Sequence, residues 1–293
     1  MPEGTIIKGI GGFYYVEAAG SVYECRARGL LRKQGIIPLA GDRCELRTGE
    51  GDMPLVWSIK ERRNSLVRPP VANIDKLLIT VSSVSPEPNM LVIDRMTANA
   101  ELAGIEPVIV ITKLDLKPCD EVAETYRKAG YRVIGVNYQT GEGVEEVRAE
   151  MKGCVSAFAG NSGVGKSTLL NAIEPQLAQK TAEISQKLGR GRHTTRTVEL
   201  FRLSFGAVIA DTPGFSSFDT ELCSVIEKDV LPECFREFEQ YIGQCRFTSC
   251  AHLCEKGCAV VAAVERGDIA KSRHESYCVM YEEAKSIKPW ENR

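Results

Sequence analysis

ITKLD at residues 111–115 lies upstream of GNSGVGKST at residues 160–168, and the two read together decide the fold of the middle of the chain. GNSGVGKS, from Gly160 to Ser167, fits the G-x-x-x-x-G-K-[ST] phosphate-binding loop. Gly160, Gly163 and Gly165 let the backbone around Asn161, Ser162 and Val164 curl so that its N–H groups point inward at phosphate oxygens. The helix that follows adds the positive end of its dipole. Lys166 is placed to set a point charge against the β- and γ-phosphates, and Ser167, followed by Thr168, offers Mg²⁺ an oxygen. An apolar strand, CVSAFAG, precedes the loop and an amphipathic segment, KSTLLNAI, follows it. A chance glycine-rich turn has no reason to carry either flank.

A phosphate loop does not name its base. In Thr112-Lys113-Leu114-Asp115 the carboxylate of Asp115 can accept from both N1–H and the exocyclic amine of guanine, whereas adenine turns an acceptor toward it. An unpaired buried polar group costs about 1–3 kcal/mol, and more if charged, so strong discrimination is expected. Lys113 would lay its methylene stem along the base. The bare string T-K-x-D also fits an exposed turn with ordinary charges; its position at the end of the apolar strand PVIVIT is what favours a site. Asn137-Tyr138, after the strand YRVIGV, stands where guanine sites usually carry Ser-Ala, and its backbone N–H groups are further candidates for the base.

DTPG at residues 211–214 fits a γ-phosphate sensor, with Asp211 holding Mg²⁺ through water and the Gly214 N–H bonding phosphate. The next residue is Phe215, where many GTPases soon place a water-orienting glutamine. A phenyl ring cannot position water. KLGRGRHTTR, 187–196, lies between the phosphate-loop helix and the next strand and reads as the first switch. Either Thr194 or Thr195 can give Mg²⁺ a hydroxyl, and His193, able to donate and accept when neutral, is the candidate to orient the attacking water. A solvated loop histidine is the plain alternative, as it is for Arg190, Arg192 and Arg196.

The flanks have their own patterns. Hydrophobic residues make up 43% of the 293 residues and charged ones 26%, which is globular composition with no long disordered tract. The apolar runs fall far short of the roughly 20 residues a bilayer needs, and MPEGTIIKGIGG lacks the charged head and apolar stretch of a signal peptide, so a cytoplasmic protein without membrane contact is expected. Residues 4–68 alternate in Val, Ile, Tyr and polar residues, broken by glycines, which predicts a small antiparallel barrel of oligonucleotide-binding type. From Asp75 strand and helix signals alternate, as in a parallel sheet flanked by helices. Asn89 is read as the cap of a helix ending at Gly104, and Asp120 as the start of one ending at Gly130. Domains are placed at 1–68, 69–221 and 222–293. The net charge of −2 leaves nucleic-acid binding to local patches, among them the mildly basic residues 1–70, and DNA is not expected as a partner. Arg26, Arg28, Arg32 and Lys33 with Tyr14, Tyr15 and Tyr23 could form an RNA face, or equally be solvated charge over core aromatics.

Eleven cysteines in a chain with no export signal point to thiols or metal ligands rather than disulfides. Cys245, Cys250, His252 and Cys258 follow C-x₄-C-x-H-x₅-C, the donor chemistry of a tetrahedral zinc site, with Cys254 a fifth candidate that spacing does not exclude. Cys25, Cys44, Cys119, Cys154, Cys223, Cys234 and Cys278 read as small apolar residues. SRHESYCVMYEEAKSI reads as a surface helix with a solvated His274.

The order base reader, phosphate loop, first switch, second switch is a circular permutation of the usual GTPase sequence. With GGFYYVE, RGLLRKQG, PLAGDR, RRNSLVRPPVANID, GRGRHTT and GCAVVAAVERGDI, the chain resembles the RsgA or YjeQ family of GTPases dependent on the small ribosomal subunit. The resemblance implies three parts: an all-β barrel of oligonucleotide-binding type, a permuted α/β P-loop GTPase and a C-terminal helical zinc domain. It also implies a monomer that uses GTP/GDP, Mg²⁺ and one Zn²⁺ and binds the small subunit and its rRNA. Hydrolysis would be slow alone and stimulated by the subunit, with His193, Lys166 and Thr195 in the catalytic roles. The family pattern passes over Cys254. The alternatives are an RNA-binding adaptor that uses nucleotide only as a structural ligand and a P-loop ATPase or kinase.

Overall fold

The computed structural model describes residues 2–49, 53–66, 70–175, 198–211 and 224–286. The first switch, with His193, Thr194 and Thr195, lies outside the described residues, as do Gly214, Phe215 and Cys223; of Asp211 only the backbone is described. Along the chain run β1 (Glu3–Ile10), β2 (Phe13–Ala18), β3 (Ser21–Ala27), α1 (Gly29–Lys33), β4 (Arg43–Arg47), β5 (Leu55–Ile59), β6 (Ser65–Leu66), β7 (Val71–Ala72) and β8 (Lys76–Ser82). Then come α2 (Met90–Leu102), β9 (Glu106–Thr112), α3 (Asp120–Lys128), β10 (Arg132–Gly135), α4 (Val144–Met151), β11 (Val155–Ala159) and α5 (Lys166–Ile173). β12 (Glu199–Arg202), β13 (Val208–Asp211), α6 (Ala259–Glu265) and α7 (Lys271–Ser286) follow. By contacts the chain divides into two compact units, one of residues 1–77, 145–158 and 166–217, the other of 78–144, 159–165 and 218–293.

In the first unit β1 pairs with β2, β2 with β3, β3 with β5, β5 with β4, and β4 back with β1, which closes a five-stranded barrel of the expected type. Closure follows from the alternating pattern: Ile6, Val16, Cys25, Cys44, Leu46 and Val56 are fully buried inside. Burial pushes the Cys25 thiol up to about 11 and that of Cys44 up to about 12, as expected of thiols that serve as small apolar groups. Arg62 and Asn73 clip onto the PLAGDR turn. Arg62 donates from Nε to Asp42 Oδ1 at 2.7 Å and from Nη2 to Oδ2 at 2.8 Å, and Asn73 Nδ2 donates to the Gly41 carbonyl at 2.8 Å. Gly41 has φ +91°, and a Cβ there would collide with the Ala72 carbonyl. β12 runs antiparallel to β13, and β13 parallel to β11. Lys8 of β1 pairs with Glu199 of β12 at 3.1 Å.

The second unit holds β10-β9-β8 in that order, with β10 parallel to β9, and the runs 78–83 and 107–112 are buried throughout, the hydroxyls of Thr80, Ser82, Ser83 and Thr112 lying among apolar side chains. Asn89 caps α2 as expected, its side chain accepting from Val92 N at 3.2 Å. Asp120 opens α3 as expected; Cys119 holds the cap position without a side-chain bond, and Asp120 and Glu121 in the first turn suit the helix dipole. The C-terminal residues build one core from Ile226, Leu231, Phe235, Phe238, Val260, Ile269 and Tyr277, joined by Ala98 of α2. α7 is therefore no plain surface helix, since Arg273, Ser276, Tyr277 and Met280 are buried.

Candidate functional site

β9 ends at Thr112, and the chain turns there through Lys113, whose φ of +61° is unusual for a side-chain-bearing residue. That turn aims three groups. Thr112 Oγ1 donates to the Val164 carbonyl at 2.5 Å, and Lys113 Nζ donates to the carbonyls of Gly163 at 2.8 Å and Ser85 at 2.6 Å. Asp115 faces the segment after β10, where Tyr138 N donates to its Oδ1 at 3.2 Å. Thr112 and Lys113 thus meet Val164 and Gly163 of the phosphate loop within one compact unit although about fifty positions apart in sequence.

The loop has the backbone that curling requires. Gly160, Gly163 and Gly165 have φ of +134°, +79° and +100°, values that L side chains rarely adopt. A Cβ on Gly160 would strike the Thr80 carbonyl, and one on Gly165 would lie 3.1 Å from the Tyr138 hydroxyl. Ser162, Ser167 and Thr168 are exposed, Asn161 and Gly165 half-buried, and Val164 anchors the loop in the core. Lys166 opens α5 and is only 6% exposed, so its charge sits in a region of reduced dielectric. The backbone of Asp211 ends β13, the strand beside β11 that feeds the loop. The curled backbone of residues 160–165 offers N–H groups to an anion, and Ser167 offers a cation an oxygen.

The Asn137-Tyr138 pair is arranged differently from a simple pair of base donors. Asn137 N donates to the Glu142 carbonyl at 3.1 Å, and Asn137 Oδ1 accepts from Gln139 N at 2.9 Å and Thr140 N at 3.0 Å. Its side chain shapes the turn. A base arriving at Asp115 meets a carboxylate with one oxygen already bonded to the Tyr138 amide.

Farther along, Cys245, Cys250, His252 and Cys258 bring their ligand atoms within 4.8 Å of one another. Zinc bound by thiolates at about 2.3 Å and by an imidazole at about 2.0 Å has S–S edges of about 3.8 Å and S–N edges of about 3.5 Å. Cys245 Sγ lies 3.8 Å from Cys258 Sγ, and each lies 3.5 Å from His252 Nδ1. The donor set therefore fits one zinc ion, with Nδ1 as the histidine ligand. Cys254 is exposed and outside the cluster. Ala259 N donates to Cys245 Sγ at 3.3 Å and Val261 N to Cys258 Sγ at 3.4 Å, bonds that orient both sulfurs. Glu255 folds the loop by accepting from the N–H groups of Ala251, Leu253 and Cys254. His274, expected in solvent, instead bonds the His252 carbonyl through Nε2 at 2.7 Å and so supports a residue of that cluster. No local signal announces that role, because the two histidines meet only once α7 packs.

The aromatic and basic residues of the barrel divide. Tyr14 and Tyr23 pack against its core, while Arg26 lies over Phe13 at 4.9 Å. Trp57, which alternation alone did not single out, has the guanidinium groups of Arg28 and Arg47 at 3.7 and 4.7 Å from its ring.

Comparison with known proteins adds the family context. A model described as RsgA GTPase matches residues 59–221, and one described as RsgA N-terminal domain matches residues 3–55. The protein named small ribosomal subunit biogenesis GTPase RsgA of Caldanaerobacter subterraneus subsp. tengcongensis is 45% identical over 286 residues, covering 97% of this chain and 96% of that protein. Its namesake in Geobacillus thermodenitrificans is 46% identical over 296 residues, covering 99% of each. Among solved structures, YjeQ from Thermotoga maritima is 34% identical with a TM-score of 0.82, over 98% of this chain and 99% of that one. YloQ, described as a circularly permuted GTPase, is 36% identical with a TM-score of 0.77, over 99% and 96%.

Proposed function

The chain belongs to the RsgA GTPase family, and from that premise we propose that it hydrolyses GTP to GDP and phosphate in the late maturation of the small ribosomal subunit, stimulated by the subunit it binds. The observation that carries this reading is the hydrogen-bonded union of Thr112 and Lys113 with the phosphate loop, while Asp115 lies on the same turn. Guanine specificity belongs to Asp115, with Lys113 along the base and the backbone of Asn137-Tyr138 beside it. The loop from Gly160 to Thr168 takes the phosphates, Lys166 neutralises the charge that develops on them, and Mg²⁺ is held by Ser167 and a hydroxyl of Thr194 or Thr195. Asp211 and Gly214 sense the γ-phosphate, and His193 orients the attacking water, since Phe215 cannot. One zinc in the Cys245-Cys250-His252-Cys258 set braces the C-terminal part. Residues 1–68 act as the barrel, 69–221 as the GTPase and 222–293 as the zinc part of a cytoplasmic monomer. The barrel contacts rRNA, and the cation-flanked Trp57 supports stacking of an unpaired base there. The test is turnover and binding: GTP should bind far more tightly than ATP, small subunits should raise multiple turnover, and Lys166→Ala should abolish it. ATP binding as tight as GTP would remove the base-reading role.

A further inference from the structure

Three consecutive carbonyls of the phosphate loop are each held by a different side chain from outside the loop. Gly163 O accepts from Lys113 Nζ at 2.8 Å, Val164 O from Thr112 Oγ1 at 2.5 Å, and Gly165 O from Tyr138 OH at 3.1 Å. In a trans peptide the carbonyl and the following N–H point to opposite sides. Pinning these three oxygens from one side therefore turns the N–H groups of Val164, Gly165 and Lys166 to the other side, where an anion would lie. Lys113 and Thr112 belong to the T-K-x-D turn itself. Tyr138 comes from a separate segment and bonds both the turn and the loop, its amide donating to Asp115 Oδ1 and its phenol to the Gly165 carbonyl. Burial and the nearby Asp115 charge raise the phenol above its ordinary value, so it remains a donor through the neutral range.

We propose that Tyr138 is a positioning residue for nucleotide binding: its phenol completes an outer clamp on the phosphate loop, presets the N–H groups that receive phosphate, and so slows the release of guanine nucleotide. The proposal rests on the reading of residues 160–168 as a phosphate site and assigns the Tyr138 side chain a task that the base-contact reading of its backbone does not contain. One neutral hydrogen bond that presets a binding loop is worth roughly a fivefold to tenfold change in affinity.

The test is Tyr138→Phe in the full chain, which keeps the ring and removes the hydroxyl. Release of a fluorescent N-methylanthraniloyl GDP, followed by stopped flow in Mg²⁺, should quicken roughly fivefold to tenfold. KM for GTP should rise while kcat holds, and the preference for GTP over xanthosine triphosphate, which Asp115 sets, should not move. A merely structural tyrosine would lower the thermal midpoint and kcat without that split, and this result would overturn the proposal. Release at the wild-type rate would also overturn it, and if Asp115→Asn in parallel still loses guanine preference, the base site stands without the clamp. A wild-type chain that binds no guanine nucleotide would overturn the site reading itself and the clamp with it.

Discussion

Asp115 illustrates how much one carboxylate can decide. It offers guanine two acceptors, and replacing it by asparagine substitutes an amide N–H₂ for one of them, so a donor of the base then faces a donor of the protein. Asp115→Asn should weaken GTP binding on the order of a hundredfold and favour xanthosine triphosphate, whose 2-oxo group accepts from the new amide. Competitive titration with both nucleotides checks this; equal loss of both would show that Asp115 only holds the Tyr138 amide. The residues of this site that could be read early sit in short motifs, where chemistry and spacing are both local: Lys113, Asp115, Lys166, and the cysteines around His252. Tyr138 was legible only as a backbone contact for the base, and the tasks of its phenol and of His274 escaped because their partners, the Gly165 and His252 carbonyls, are backbone atoms that no side-chain pattern marks.

The metal loop of residues 245–258 shows the same division within a single element. Spacing left five donors for four positions, and the loop geometry separates them: Cys254 spends its N–H on Glu255 while its side chain is exposed. Cys254→Ser should therefore retain stoichiometric zinc by metal analysis, whereas Cys258→Ser should lose it, together with the protection of α6, which Cys258 caps by accepting from Val261 N. Zinc lost from Cys254→Ser would show that the donor set is wrong. α2 was legible throughout, because a cap, an apolar period and a terminal glycine all lie within its own residues. The clip of Asp42, Arg62 and Asn73 was visible only as the motifs PLAGDR and RRNSLVRPPVANID, with no hint that Asp42 is the fully buried acceptor for Arg62.

Across the second unit runs a buried ion network. Arg273 of α7 is completely buried and bonds Asp94 of α2 through Nη1 at 2.6 Å, Glu237 through Nε at 2.6 Å and through Nη2 at 3.1 Å, and Thr97 Oγ1 at 3.2 Å. Tyr126 of α3 donates to the same Asp94 oxygen at 2.6 Å. Residues from the helices around the base reader are thereby joined to the C-terminal helices inside one unit. Removing the guanidinium leaves two buried carboxylates facing each other, so Arg273→Met should cost about 3–5 kcal/mol in urea unfolding. A cost below about 1 kcal/mol would mean that water replaces the arginine. The glycine spacing of the loop, the order of the nucleotide motifs, the alternation that makes the barrel and the metal donors were all present in the linear chain, since each is a local pattern of size, polarity and backbone freedom. Which carbonyl Tyr138 grips, which thiol is left out of the metal cluster and what Arg273 neutralises are settled only on folding. The Tyr138 and Arg273 contacts join positions 27 to 179 residues apart, and their worth comes from excluding water around groups that are ordinary when solvated.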